Sequence, residues 1–317
     1  MDYREFASDL PPSPTVTFTS AEEVEEAFLR SGVDQRTRQR GRGRFRADLA
    51  VRSIGKVDLF ADRYSTACTM RLVNPPGMFG LLLPRSSNGG FMASGRSVSE
   101  GHLLVIPDGL EVDIVTSGLA GSEDIAVPEE RFFEMAEAMC PTLHLPKEPT
   151  VVAGNPAELG TLRKGILEML RRPERKLDHE RLSNLIAGAI AWIDRSLSRG
   201  KPGDLRVRRA RARVAKQARE YIEENYRESV RLEELCRVTA VPVRTLQRCF
   251  REYFDLTIMD YLKTVRLDAA HRDLAAAHSL QDTVTNIAMR HGNPHLGRFS
   301  VEYRKRFGES PREALAG

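Results

Sequence analysis

Residues 231–250 read RLEELCRVTAVPVRTLQRCF, and their spacing predicts two short helices joined by a tight turn. The turn falls at Thr239-Ala240-Val241. The apolar side chains that we expect to face a common core are Leu232, Leu235, Cys236, Leu246 and Phe250. A preceding helix, Arg206–Tyr226, repeats apolar residues at three- and four-residue steps and gives the pair a surface to pack on. The stretch therefore predicts a helix-turn-helix unit.

A second unit with the same pattern follows over residues 284–307, which read VTNIAMRHGNPHLGRFSVEYRKRF. Gly292 supplies the turn, and Phe299 and Tyr303 anchor the helix after it. A connecting helix from about Ile258 to Ala276 would span roughly 28 Å at 1.5 Å per residue. Two units held apart by a rigid spacer can enter successive major grooves on one side of a DNA duplex.

The outer faces of the two second helices carry side chains suited to DNA, because arginine and glutamine can pair with guanine and adenine edges. The candidate DNA-binding residues are Arg244, Gln247, Arg248, Arg251, His295, Arg298, Val301 and Arg304. Residues 205–317 carry 22 Lys and Arg against 15 Asp and Glu, whereas the first 204 residues carry 26 against 29. This asymmetry favours double-stranded DNA as a partner of the C-terminal part.

These residues resemble the DNA-binding domain of AraC/XylS-type transcription regulators over about residues 210–315. The matching stretches are LEELCR (232–237), RTLQRCF (244–250), YLKTVRL (261–267) and LGRFSVEYRKRFGESP (296–311). The resemblance implies that Arg244, Gln247 and Arg248 read bases in the first unit and that Arg298 occupies a base-contacting position in the second.

Three sites depart from the family pattern. Val301 stands where many members have an arginine, and Pro242 stands where a serine cap is common. Asn293-Pro294 follows Gly292, where a phenylalanine is usual. Loss of that apolar plug predicts looser packing in the second unit.

Residues 1–200 are expected to form a separate domain, so the fold class is α+β. From Phe45 to about Val127, short apolar runs alternate with turn formers such as Pro107-Asp108-Gly109, a pattern that predicts an antiparallel barrel or sandwich. Helical periodicity follows at Glu129–Met139, Pro156–Leu170 and His179–Leu197. The resemblance implies a cupin-like antiparallel β-barrel with flanking helices, which binds an effector or mediates dimerisation. GKPGD at residues 200–204 is the expected linker to the DNA-binding domain at 205–317.

The sequence offers no constellation for catalysis. A metal-dependent cupin enzyme needs an H-x-H pair, and His102 is the only histidine of the strand-rich region. The four cysteines, which form no C-x-x-C pair, are Cys68, Cys140, Cys236 and Cys249. We expect no catalytic residue, metal or cofactor, no membrane segment, and a cytoplasmic location. An enzyme carried to DNA by the helices and a sequence-tolerant DNA-packaging protein are the alternatives to a regulator.

Residues 35–46 read QRTRQRGRGRFR, and in an extended strand this alternation points the arginines to one side. The candidate effector-binding residues are Arg36, Arg38, Arg40, Arg42 and Arg44. Guanidinium groups bind phosphate in a fork and pair with guanine, although an outer sheet face in an arginine-rich chain gives the same alternation.

Arg36 and Arg40 match the R-x-x-x-R element with which PilZ-type domains hold cyclic di-GMP, whereas the companion D/N-x-S-x-x-G element is absent. Cyclic di-GMP is therefore one candidate effector. The alternative is an amine, amino acid or organic acid in the barrel lumen. A homodimer and RNA polymerase are the further partners expected of an activator.

Overall fold

The computed structural model describes residues 2–12, 14–87, 90–171, 178–199, 205–277 and 283–316. The chain forms two compact units. One contains Met1–Thr37 and Arg46–Lys201, and the other contains Arg38–Phe45 and Pro202–Gly317. The linker predicted over residues 200–204 lies outside the described residues.

Short strands dominate the N-terminal part, as the sequence predicts. They are β1 (Thr15–Phe18), β2 (Asp34–Gln39), β3 (Ala47–Ile54), β4 (Val57–Tyr64), β5 (Cys68–Val73), β6 (Met78–Ser86), β7 (Phe91–Ala93), β8 (Arg96–Val98), β9 (His102–Ile106), β10 (Glu111–Thr116), β11 (Ala120–Pro128) and β12 (Thr150–Ala153). One sheet has the order β1-β3-β4-β11-β6-β9-β12, and the other has the order β2-β5-β10-β7-β8. The strand pairs with a described register are antiparallel.

The expected α+β class with an antiparallel, strand-rich N-terminal domain is confirmed, but the strands do not close into one barrel. The first sheet ends at the edge strands β1 and β12, and the second ends at β2 and β8. Among the described residues no ladder joins these edges, so two separate sheets replace the predicted closed barrel. Alternation and turn signals specify strands and hairpins, whereas closure depends on which distant edges meet.

The described residues of the first unit form five helices: α1 (Tyr3–Phe6), α2 (Ala21–Arg30), α3 (Glu129–Met139), α4 (Pro156–Arg171) and α5 (Asp178–Arg199). One face of the larger sheet packs on α3, α4 and α5. Leu59 and Leu81 from the strands share a core there with Ile166, Ile186 and Trp192 from the helices. Burial of this apolar surface is the main force that holds the helices on the sheet.

The opposite face of the larger sheet carries buried polar groups. Asp62 lies opposite Ser122 in the β4–β11 register, and its carboxylate accepts hydrogen bonds from the Ser122 amide (2.6 Å) and hydroxyl (3.2 Å). The Tyr64 hydroxyl, two residues along β4, accepts a bond from the Gln35 amide at 2.9 Å. Burial raises the pKa of Asp62 to about 6 and raises that of Asp124 well above its ordinary value.

The second unit is helical. Its helices are α6 (Leu205–Asn225), α7 (Leu232–Thr239), α8 (Val243–Phe254), α9 (Ile258–Ala275), α10 (Val284–Arg290), α11 (Leu296–Phe307) and α12 (Pro311–Ala316). The helices predicted at Arg206–Tyr226 and Ile258–Ala276 are present within one residue at each end as α6 and α9. In the ranges that the structure describes, no helix is both long and apolar enough to cross a membrane.

Candidate nucleic-acid interface

The first helix-turn-helix consists of α7 and α8 packed on α6. Leu235, Leu246 and Phe250 are fully buried, together with Ala218 and Ile222 from α6. These are the positions that the apolar spacing predicts. Because α7 and α8 are short, this shared core rather than helix propensity fixes their angle.

Local caps set the turn between α7 and α8. Ala240 ends α7 in the left-handed conformation with φ of 53°. The Thr239 hydroxyl donates to the Leu235 carbonyl at 2.7 Å, one turn back along α7. Pro242 occupies the N-cap of α8 without a side-chain cap, and its carbonyl accepts from the Leu246 amide at 3.0 Å. The chain thus turns without the serine that is common at this site.

The outer face of α8 presents the predicted DNA-binding side chains to solvent. Arg244, Gln247, Arg248 and Arg251 are all exposed. None has a hydrogen bond or ion pair to any residue that the structure describes. Their polar groups can therefore reach DNA without first breaking a contact within the protein.

Val243, in the first turn of α8, is a candidate that the sequence interpretation missed. Its side chain is 38% exposed, and it precedes Gln247 by four residues on the same helix face. An exposed valine beside a glutamine can contact the methyl group of thymine. The sequence signal for Val243 is its position four residues before Gln247, which places both side chains on one helix face.

The second helix-turn-helix consists of α10 and α11 packed on α9. Its core contains Leu267, Leu274, Ile287, Phe299 and Tyr303. Gly292 makes the turn with φ of 69°. A Cβ atom there would lie 2.9 Å from Nε of Arg266 and 3.1 Å from the Arg227 carbonyl, so the turn requires glycine.

The predicted residues of α11 do not form a uniform set. His295 and Arg298 are exposed, and Val301 is 54% exposed. The side chains of these three residues have no hydrogen bond or ion pair to a described residue. Arg304 lies 3.8 Å from the Glu313 carboxylate, although both side chains remain largely exposed. Glu302 is bound to Lys263, whose ammonium group lowers the pKa of that carboxyl.

A cavity of about 260 Å³ lies between α9 and the start of α11. Among its lining residues are Leu262, Leu267, Asn293, Pro294 and Phe299. Asn293 and Pro294 thus border this half-open cavity, at the site where the sequence predicts looser packing.

The arginine-rich stretch is divided between the two units. In the first unit, Arg36 lies 3.4 Å from Glu25 and 3.7 Å from Asp34. In the second unit, Arg38 lies 3.1 Å from Glu223, and Arg40 lies 3.6 Å from the Asp255 carboxylate.

The predicted alternation holds along β2, where Gln35, Thr37 and Gln39 are buried and the arginines between them face outward. The strand ends at Gln39, and Gly43 has φ of 93°. Arg42 and Arg44, both exposed, follow this end and do not continue the strand. The five predicted arginines are therefore not gathered on one strand face.

The chain resembles known proteins through its C-terminal third. A family model described as a helix-turn-helix domain matches residues 235–317. The "Probable thc operon regulatory protein" of Rhodococcus erythropolis is 36% identical over 102 residues, which are 32% of this chain and 31% of that protein. The "XylDLEGF operon transcriptional activator 2" of Pseudomonas putida is 32% identical over 97 residues, 31% of this chain and 62% of that protein.

Residues 235–317 match a helix-turn-helix domain, and the resemblance to AraC/XylS-type regulators is confirmed for this part of the chain. A solved structure described as a probable AraC family transcriptional regulator from Rhodopseudomonas palustris is 34% identical, covers 32% of this chain and 94% of its own, and has a TM-score of 0.31. The matched region spans less than two thirds of the length of the two relatives named above. The AraC/XylS-type domain includes both recognition helices, α8 and α11.

Proposed function

We propose that this protein is a sequence-specific DNA-binding regulator of transcription, of the activating kind, and not an enzyme. The observation that carries the proposal is the exposed face of α8. Arg244, Gln247 and Arg248 stand there without partners among the described residues, on a helix whose other face is fully buried. Side chains that a rigid helix presents in this way can make bidentate contacts with base edges.

Two substitutions test the roles of individual arginines. Arg248→Ala is expected to cost about 1–3 kcal/mol at one base position and to relax the preference there. Arg304→Ala is expected to weaken binding to all sequences alike and to reduce the salt dependence by about one charge. Binding would be measured by fluorescence anisotropy on a site selected from random DNA, with single-base variants of that site. Uniform losses for both variants would contradict the role of Arg248.

The same measurement separates a regulator from a DNA-packaging protein. A regulator binds its selected site roughly 10³-fold or more tighter than unrelated DNA at physiological salt. A ratio near one would favour packaging. For an activator, RNA polymerase and a second copy of the chain are the further partners that we propose.

Cyclic di-GMP is the first effector that we propose, bound by arginines of the stretch 36–44. Arg36 is 57% exposed, and Arg42 and Arg44 are also exposed. Arg38 and Arg40 are held by the carboxylates of Glu223 and Asp255, so phosphate groups would have to replace these carboxylates. Phosphate can take the place of carboxylate here, because both groups accept forked hydrogen bonds from guanidinium.

Calorimetry with the full-length protein tests this effector. Binding heat is expected at micromolar cyclic di-GMP, and Arg36→Ala combined with Arg40→Ala should abolish it. Arg30→Ala is the matched control, because Arg30 is an exposed arginine on α2 whose ion pair is to Glu26. Absence of heat, or unchanged binding in the double variant, would exclude the site.

A small amine or amino acid is the second effector that we propose, bound between the two sheets. Asp62 and Asp124 lie on the inner face of the larger sheet, and neither has an ion pair with a described residue. One oxygen of Asp124 is buried without a hydrogen bond. Two buried carboxyl groups on one sheet face favour an ammonium-bearing ligand over an organic acid. Amines should raise the melting temperature of the wild-type protein, and Asp62→Asn should remove this increase. An increase that persists in the variant would contradict the site.

A further inference from the structure

We propose that the segment Arg38–Phe45, here called the arginine clasp, holds the C-terminal ends of both recognition helices and so sets the spacing of the DNA subsites that the protein accepts. The proposal rests on the proposed DNA-binding function and assigns positioning residues to it. The clasp belongs to the same compact unit as α6 to α12.

The first anchor is on α11. The buried Gln39 side-chain amide donates to the Arg306 carbonyl at 2.6 Å, and the Gly43 amide donates to the Lys305 carbonyl at 3.2 Å. Carbonyls in the last turn of a helix have no partner within the helix. The clasp thus supplies donors to two carbonyls at the end of α11.

Close packing confirms that the clasp lies directly on this helix end. Gly308 caps α11 with φ of 78°. A Cβ atom on Gly308 would lie 3.0 Å from Cγ of Arg44 and 3.1 Å from its backbone nitrogen. Both the backbone conformation and the contact therefore require glycine at this position.

The second anchor is on α8. Nη2 of Arg40 donates to the Asp255 carbonyl at 2.9 Å and lies 3.6 Å from the Asp255 carboxylate. Asp255 is the left-handed C-cap of α8, with φ of 51°. A guanidinium group is favoured there because the C-terminus of a helix carries partial negative charge. The Arg40 side chain is only 10% exposed, so solvent screens this contact little.

The third anchor joins α6 and α9. Arg38 lies 3.1 Å from Oε1 of Glu223 on α6, and the Tyr261 hydroxyl on α9 donates to the same oxygen at 2.6 Å. The Arg38 guanidinium also lies 6.0 Å from the centre of the Tyr261 ring. Since α9 connects the two helix-turn-helix units, the clasp touches the connector as well as both recognition helices.

The short length of the clasp turns these anchors into a constraint. Arg40 and Gly43 are three residues apart, so their Cα atoms are at most about 11 Å apart. The C-terminal ends of α8 and α11 are therefore bound to two residues of the clasp that cannot move more than this distance apart. Successive major grooves on one side of DNA are about 34–36 Å apart. Two recognition helices reject sites with altered spacing only if the distance between the helices is fixed.

The test uses the full-length protein and a site selected from random DNA with the wild-type chain. The two subsites are then moved apart by one or two base pairs, and the affinity ratio between the selected and the altered site is measured. Arg40→Gln removes the anchor on α8, and Gln39→Ala removes the anchor on α11. Arg30→Gln is the matched control, because Arg30 is an exposed arginine of α2, outside the clasp, whose ion pair is to Glu26.

We expect each anchor variant to lower the affinity ratio about tenfold, because loosening the link between two sites lowers the effective concentration of the second. Affinity for a single subsite should stay unchanged, which a merely unfolded variant would not show. Arg40→Lys keeps the positive charge at α8 and should restore part of the affinity ratio. Arg30→Gln should leave the ratio at the wild-type value.

A wild-type ratio in the folded anchor variants would overturn the clasp and leave the proposed function standing. Failure of the wild-type chain to select any sequence would overturn the proposed function itself. If one variant does not fold, as judged by circular dichroism, the other decides, because it acts on the other recognition helix.

Discussion

Single residues of the first unit show how much charge this protein buries. Arg63 is fully buried in the larger sheet, where it pairs with the fully buried Glu123 and lies 2.9 Å from Asp9. Arg163 also pairs with Glu123. Desolvation of isolated charges would cost several kcal/mol each, and the ion pairs within this network offset that cost. Asp62 differs from these groups, because its carboxylate is held by hydrogen bonds from Ser122 and has no ion pair with a described residue.

The raised pKa of Asp62 makes the stability of the first unit depend on pH. Its pKa rises from 3.8 in the unfolded chain to about 6 in the folded one, so the folded state takes up a proton between these values. The stabilisation from this proton is present below about pH 4 and is lost as pH rises through about 6, a change of about 3 kcal/mol.

Asp62→Asn should therefore raise the melting temperature at pH 7.5 and flatten its decline between pH 4.5 and 7. Asparagine keeps an oxygen for the Ser122 amide and carries no charge. Asp58→Asn is the matched control on the same strand, because it removes a half-buried carboxylate that accepts from the Ser53 hydroxyl at 2.5 Å. Identical pH profiles for Asp62→Asn and wild type would contradict the account.

At the scale of elements, each helix-turn-helix unit has an aromatic cluster. The ring centres are 4.8–5.5 Å apart in the first unit and 4.6–5.6 Å apart in the second. The second unit also has the half-open cavity of about 260 Å³ beside the turn at Asn293. Unfilled space forfeits the contacts that its lining would otherwise make. The first unit should accordingly supply most of the base discrimination.

Filling the cavity should strengthen the second unit. Asn293→Phe is expected to raise the free energy of unfolding by about 1 kcal/mol, because it places apolar surface against Leu262 and Phe299 at an open site. It should also tighten DNA binding through the subsite that α11 contacts. Thermal denaturation and DNA titration would measure both effects, with Asn293→Ala as the control that removes the amide without filling space. Equal melting temperatures for the two variants would show that the cavity cannot receive the ring.

At the scale of the whole molecule, each compact unit has its own core. The first is built on the larger sheet with α3, α4 and α5, and the second on the helices around α6 and α9. Units with separate cores unfold as separate cooperative steps unless a large apolar surface couples them.

Differential scanning calorimetry of the full-length chain should therefore show two transitions. Asp62→Asn should shift one of them and Asn293→Phe the other, because the two residues belong to different units. Cyclic di-GMP and amines can be tested in the same experiment, since a ligand raises the transition of the unit that binds it. A single transition that both variants shift equally would contradict independent unfolding.

Much of the C-terminal architecture could be predicted from the chain alone because its signals are local. Apolar residues at three- and four-residue steps, with Ala240 and Gly292 at the turns, specify both helix-turn-helix units within short windows. The same periodicity assigns Arg244 and Arg248 to the solvent face of α8, where the structure has them.

Contacts between distant parts of the chain decided the rest. The alternation in sequence places Arg38 and Arg40 on one strand face. It does not reveal their partners, Glu223 and Asp255, because the contact of Arg40 with Asp255 joins residues 215 positions apart. Likewise, strand patterns predict hairpins but not whether the outer edges meet, and here two sheets form instead of one barrel. Local periodicity reports which side of an element is apolar, whereas partners and closure depend on packing between elements that no short window contains.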